Sequence, residues 1–125
     1  MSTRAQIRFA TREEGVTFSE HPDIIHAQFY RHHDGYPEGL GVDIADSLIN
    51  KRNVNGRSWE IEDLDTKHGD LEYIYYIWQA PEKSTWISIF KIDGKFCEYS
   101  DKYFETSECI FVGEPSNLIE KYDTN

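Results

Sequence analysis

Twelve consecutive residues, Tyr30-Arg31-His32-His33-Asp34-Gly35-Tyr36-Pro37-Glu38-Gly39-Leu40-Gly41, hold the densest set of chemistry-bearing side chains in this sequence. Arg31, with Arg4 and Arg8 near the N-terminus, offers the planar, always-charged fork that suits phosphate. The backbone N–H groups of Gly39, Leu40 and Gly41, at the start of an expected helix, add donors for an anion. Tyr30 or Tyr36 can stack on a base, a contact worth about 1–3 kcal/mol per base. Asp34 or Glu38 can accept from ribose hydroxyls. These types together point to a phosphate-bearing, nucleotide-like ligand, with Arg4, Arg8, Tyr30, Arg31, His32, Asp34, Gly35, Tyr36, Glu38 and Gly39 as the expected binding set. The glycines form neither a Walker motif nor GxGxxG. The plainer alternative is that Asp34-Gly35 and Pro37-Glu38-Gly39 make tight turns while Arg31 pairs locally.

Two other chemistries are weaker. His26, His32, His33, Asp34 and Glu38 are metal-ligand types, and two histidines with a carboxylate can hold a catalytic metal. Adjacent His32 and His33 on a strand would point to opposite faces, however, and HExxH does not occur. A metal-dependent phosphodiesterase is therefore an alternative only; no metal or cofactor is expected and no residue is assigned a catalytic role. Cys97 and Cys109 lack CxxC spacing and read as free thiols of a reducing compartment. There is no Gly-x-Ser-x-Gly elbow.

The elements that must position these residues follow from periodicity. Thr3 to Thr11 alternates, with Ala5, Ile7 and Phe9 opposite Arg4, Gln6 and Arg8. Ile24 to His32 is a second strand, carrying His26, Gln28, Tyr30 and His32 on one face. Antiparallel pairing of the two, in the right phase, gathers the polar sets on one face. Arg12 to Pro22 reads as a charged connection, interrupted by Val16 and Phe18. Val42, Ile44, Ala45, Leu48 and Ile49 have helical spacing, with Asn53 and Asn55-Gly56 as stop signals. Arg57 to Asp70 is acidic and reads as a short helix or capped turn. Leu71 to Gln79 is a strong strand in which Tyr75 and Tyr76 must face opposite sides. Thr85 to Ile92 is another, Asp93-Gly94 signals a hairpin into Lys95 to Ser100, Cys109 to Val112 is a short final strand, and Pro115 to Tyr122 a C-terminal helix. The fold expected is one α+β domain over residues 1–125: a mainly antiparallel sheet of five or six strands, a helix after the second strand and a short C-terminal helix.

A chain of 125 residues can bury a core without disulfide or metal staples. No run approaches the ~20 apolar residues of a membrane span, and the N-terminus lacks the apolar core of a signal peptide, so a cytoplasmic location is expected. The net charge is −10. Residues 1–40 hold four Arg and six Asp/Glu, whereas residues 41–125 hold nine Lys/Arg and seventeen Asp/Glu. Duplex DNA is thus disfavoured as a partner. The acidity is either an ordinary solubilising surface or a mimic of nucleic acid, using regions 60–72 and 98–108, that occupies a host protein.

The opening Ser2-Thr3-Arg4-Ala5-Gln6-Ile7, taken with Tyr30 to Gly39, resembles a family of small phage and bacterial proteins. Its members begin S-T-R-x-x-I and carry a Y-R/K-H-x-D-G-Y-P-E segment before a helix. The likeness covers the first third of the chain; where many members have tryptophan or another residue between histidine and aspartate, this chain has His33. It implies a phage or prophage setting with action in the host cytoplasm. Small acidic phage proteins often act by binding, blocking a host defence protein or sequestering a nucleotide signal. The expectation is therefore a non-enzymatic, counter-defence binding protein whose partner is a nucleotide-like molecule or a host protein. The exposed aromatics suggest a homo-oligomer.

Overall fold

A computed structural model describes residues 3–15, 17–18, 20–54, 58–66, 68, 71–92 and 107–123. Strands β1 (Ala5–Thr11), β2 (Ile24–Arg31), β3 (Trp59–Glu62), β4 (Tyr73–Gln79), β5 (Thr85–Ile92) and β6 (Ser107–Gly113) form one mixed sheet in the order β3-β2-β1-β4-β5-β6. Helices α1 (Val42–Asn50) and α2 (Pro115–Tyr122) complete an α+β fold. No described helix is long and apolar enough to cross a membrane.

The expectation of a mainly antiparallel sheet needs one correction, because the central pair β1–β4 is parallel. The chain leaves β1, builds β2, α1 and β3 on one side, and returns to add β4 on β1's other edge. Alternation reports which face a residue takes, not which strand lies beside it, so this pairing has no local signature. A second correction concerns Arg57 to Asp70. Trp59–Glu62 is an edge strand paired with β2, not a helix, because Trp59 and Ile61 alternate with Glu60 and Glu62 at a strand's period of two. The Asn55-Gly56 stop, the Asp93-Gly94 hairpin, Lys95 to Ser100 with Cys97, and most of the 98–108 acidic region lie outside the described residues.

Both faces of the sheet are buried. On one, α1 and α2 cover Ala5, Ile7, Tyr75, Ile77, Ile87 and Ile89, inserting Leu40, Ile44, Ala45 and Leu118. On the other, Ala10, Tyr30, Ile74, Tyr76, Trp78, Phe90 and Ile92 pack with Leu71 and Ala80. Neighbouring Tyr75 and Tyr76 therefore face opposite sides, and each is fully buried in its own core. Beyond the helices, Phe9, Phe29 and Trp59 pack edge-on or tilted at centroid separations of 5.9 and 5.6 Å, and Ile61 remains 76% exposed.

The segment after β2 is locked by one close approach. The Gly35 N–H donates to the Thr3 carbonyl at 3.0 Å, and the buried Tyr75 hydroxyl donates to the Gly35 carbonyl at 2.6 Å. A Cβ on Gly35 would sit 2.7 Å from Ala5 Cβ and 2.9 Å from the Thr3 oxygen, both too close without backbone movement. Gly35→Ala should therefore destabilise the protein by about 2–3 kcal/mol through overpacking, read as a lower urea midpoint with an unchanged slope.

Candidate functional site

The expected binding segment is split by the sheet. Arg31 lies on the helix-covered side, paired with Ala5 in register, and its Nε donates to the His33 carbonyl at 2.7 Å. Arg8 and Tyr30 lie on the opposite side, buried. Arg4 is half-buried just before β1, and its carbonyl accepts from the Glu72 and Tyr73 amides. His32 is exposed with Nε2 3.4 Å from Glu60 Oε1, and Asp34 turns the chain with a φ of +56°. Tyr36 and Glu38 are exposed, whereas Gly35 is buried. The two arginine-bearing groups do not converge.

Two of the three anion-binding amides expected at the helix start, those of Gly39 and Leu40, are already used. Pro37–Gly41 forms a wide, π-type turn ahead of α1. Within it Gly39 N–H donates to the Tyr36 carbonyl at 3.0 Å, and Leu40 N–H is shared between Asp34 and Tyr36 carbonyls. The Val42 N–H bonds back to Gly39 and Pro37. A helix start offers an anion site when such donors are orphaned; at Gly39, Leu40 and Val42 they are not.

Register brings a different polar group together. Gln6 lies opposite Tyr30, Arg8 opposite Gln28 and Tyr76, Gln28 opposite Glu62, and Tyr76 opposite Ser88. A polar row therefore crosses β3, β2, β1, β4 and β5 on the face away from the helices. Gln6 and Gln28 both donate from Nε2 to Glu62 Oε1 at 2.9 Å and to the Thr66 carbonyl at 3.0 and 3.2 Å. Glu62 Oε2 lies 2.9 Å from His68 Nε2, and the His68 ring stacks on Tyr30 at 3.7 Å. The chain between β3 and β4 is thus held down on the polar end of the sheet.

Arg8 anchors the middle of the row. Its Nη2 donates to Gln6 Oε1 at 3.2 Å and its Nη1 to Tyr76 Oη at 2.9 Å. His21, from the β1–β2 connection, stacks on Phe90 at 3.8 Å, with Nδ1 3.1 Å from Tyr76 Oη and Nε2 3.1 Å from Ser107 Oγ. A serine–histidine pair at this distance has the outline of a nucleophile and its base. The electrostatics argue against that role. A guanidinium only donates, so Tyr76 Oη accepts from Arg8. Burial raises the Tyr76 phenol despite Arg8, keeping its proton in place. Burial, then the charges of Arg8 and Arg12, lower His21 to about 4. His21 is therefore neutral near pH 7 and a poor base. Burial likewise raises the half-buried Cys109 thiol, which leaves it a weak nucleophile.

The open concavity lies beside this row. A cleft of about 370 Å³ is lined by Arg12, Glu13, Glu14, Gly15, Phe18, Trp78, Gln79 and Pro81, between the β1–β2 connection and the β4–β5 turn. The Arg12 guanidinium lies over the buried Trp78 ring at 4.4 Å, a cation–π contact. Its Nη1 and Nη2 donate to the Thr17 and Phe18 carbonyls, and burial lowers its pKa. Phe18 packs against Trp78 and Trp86 at 5.5 and 5.3 Å while 43% exposed. The sequence signal was present but faint: Phe18 is a large aromatic in a charged connection, and Trp78 closes an aromatic strand. Spacing alone does not join residues sixty positions apart.

Comparison with family models, with curated proteins and with solved structures gave no match.

The His21 environment gives a pH signature. Its pKa is about 4 folded against 6.5 for the free side chain, so the unfolded chain binds the extra proton. The stability it confers is complete above pH 6.5 and is lost as pH falls towards 4. After discounting for partial exposure the loss is about 2 kcal/mol. Urea unfolding from pH 7.5 to 5, above most carboxylate titration, should show this decline, and His21→Gln should flatten it.

Proposed function

We propose that this protein binds a small, planar, nucleotide-like ligand without turning it over, and that the ligand sits in the Arg12–Phe18–Trp78 cleft. The cleft itself carries the reading: a guanidinium fixed on an indole face beside a partly open phenyl ring, in a concavity of about 370 Å³. Concave sites with aromatic walls and a few polar groups are where small ligands bind. The Tyr30–Gly41 segment contributes indirectly. It braces β1 through Gly35 and delivers Tyr30 to the buried row, while its turn amides are spent internally.

Catalysis has little support. His21, with its pKa lowered to about 4 by burial, is a poor base for Ser107, and among the described residues no three His, Cys, Asp or Glu side chains could hold a metal ion. A metal-dependent phosphodiesterase thus lacks a ligand set there. The resemblance of the first third of the chain to small phage and bacterial proteins supports action in a host cytoplasm, where sequestering a nucleotide signal would serve counter-defence. The net charge of −10 favours a second reading, mimicry of nucleic acid on a host protein; such binding weakens sharply with salt, whereas capture of a small ligand needs no protein partner.

Thermal shift with a panel of nucleosides and linear and cyclic nucleotides tests the first reading. A ligand at a hundred times its Kd adds about 2.7 kcal/mol and raises Tm by several degrees. The shift should vanish in Arg12→Ala and Phe18→Ala and persist in Arg31→Ala. No shift with any member of the panel would sink the reading.

A further inference from the structure

We infer that the cleft recognises its ligand by the base and turns away a polyphosphate tail, so that the ligand is an amino-bearing nucleobase carried as a nucleoside or monophosphate. This rests on the reading of the cleft as the ligand site. Three observations carry it.

The first is how Arg12 is held. Arginine recognises phosphate by presenting its forked N–H groups, but here Nη1 and Nη2 each donate to a backbone carbonyl, of Thr17 and of Phe18. The guanidinium lies against the Trp78 ring at 4.4 Å and the Phe18 ring at 6.0 Å. What this corner offers a ligand is the partly exposed Phe18 ring, and aromatic rings stack on bases. Phe18, braced by Arg12 and Trp78, forms a platform rather than an anion clamp.

The second is charge. Arg12 is the one cation among the lining residues, against Glu13 and Glu14. Asp23 accepts from the Glu13 N–H at 3.1 Å, and both Asp23 and Glu20 act electrostatically on Arg12. Each further phosphate would meet this surplus of carboxylate at short range, where like charges repel most.

The third is hydrogen-bond polarity. The carboxylates of Glu13 and Glu14 only accept, and Gln79 commits one N–H of its Nε2 to the Lys83 carbonyl while its Oε1 adds an acceptor. An acceptor-rich wall selects a donor-rich edge. The amino groups of cytosine, adenine and guanine provide one, as when carboxylates accept from the cytosine amino group, whereas uracil presents carbonyl oxygen at the corresponding position. The volume, near the lower end for small-molecule sites, suits one nucleoside better than a dinucleotide.

Isothermal titration of the full-length protein with cytidine, uridine, adenosine, AMP, ADP and ATP, at constant ionic strength, tests this. Cytidine should bind roughly tenfold tighter than uridine, the scale of one hydrogen bond to a charged acceptor. Affinity should fall from adenosine or AMP to ATP, and Glu13→Gln with Glu14→Gln should narrow both differences. Both substitutions are at exposed positions, and an unchanged melting temperature confirms that the variant folds. ATP binding more tightly than adenosine, or uridine equalling cytidine, would overturn the inference while leaving the cleft a nucleotide site. Absence of binding by all six would remove both.

Discussion

A buried guanidinium at the centre of the sheet is the constraint around which the rest of the structure is arranged. Arg8 sits on β1, the strand flanked by β2 on one edge and β4 on the other, and is only 6% exposed. Removing a charge from water costs several kcal/mol unless polar partners replace the solvent. The partners named here are supplied by chain neighbours in space: Tyr76 from β4 and Gln6 from β1 itself. Gln6 in turn holds Glu62 of β3, so the cation and the carboxylate communicate through an amide that donates at one end and accepts at the other. A sheet with an apolar second face could be covered by a third helix. This one is covered by connections whose backbone carbonyls, those of Asp63 and Thr66 among them, are satisfied by glutamine side chains.

That arrangement leaves the surfaces of the sheet filled in different ways. The helix-covered face is filled by close-packed apolar side chains, and its buried Tyr75 hydroxyl is committed to the Gly35 carbonyl. The row from Glu62 to Ser88 has polar groups, but most of them bond one another or nearby backbone, and the lowered pKa of His21 removes the appearance of a catalytic pair. Open concavity remains where the β1–β2 connection lifts off the sheet towards the β4–β5 turn. There the partners of the polar row give way to Arg12, Phe18 and Trp78, and the aromatic second face reaches solvent.

Much of this was legible in the sequence, and the limits are physical. Alternation in Thr3–Thr11 and Ile24–His32 placed Gln6, Arg8, Gln28 and Tyr30 on one face, as the register bears out. Adjacent Tyr75 and Tyr76 had to part, and Pro115 marked the start of the last helix. Alternation does not report pairing partners, so the parallel β1–β4 contact was not readable, and at Trp59–Glu62 the alternation runs for only four residues inside an acidic stretch. The density of reactive types in Tyr30–Gly41 drew attention to a segment whose glycines serve close packing and whose amides close a π-type turn. Residue type is visible in a sequence, but whether a donor is already spent depends on tertiary geometry. The same distinction separates Arg8, a structural cation, from Arg12, which lines a cleft.

The most direct test of the account is to map ligand contacts on the folded protein. Titrating ¹⁵N-labelled protein with cytidine or adenosine should perturb the backbone amides of Arg12 to Gly15 and Phe18 and the Trp78 indole N–H. The amides of Gly35 to Gly41 and the Arg31 side chain should stay in place. Perturbations concentrated on Arg31 and Gly35–Gly41, with the Phe18 and Trp78 signals unmoved, would contradict it and return the site to the glycine-rich turn.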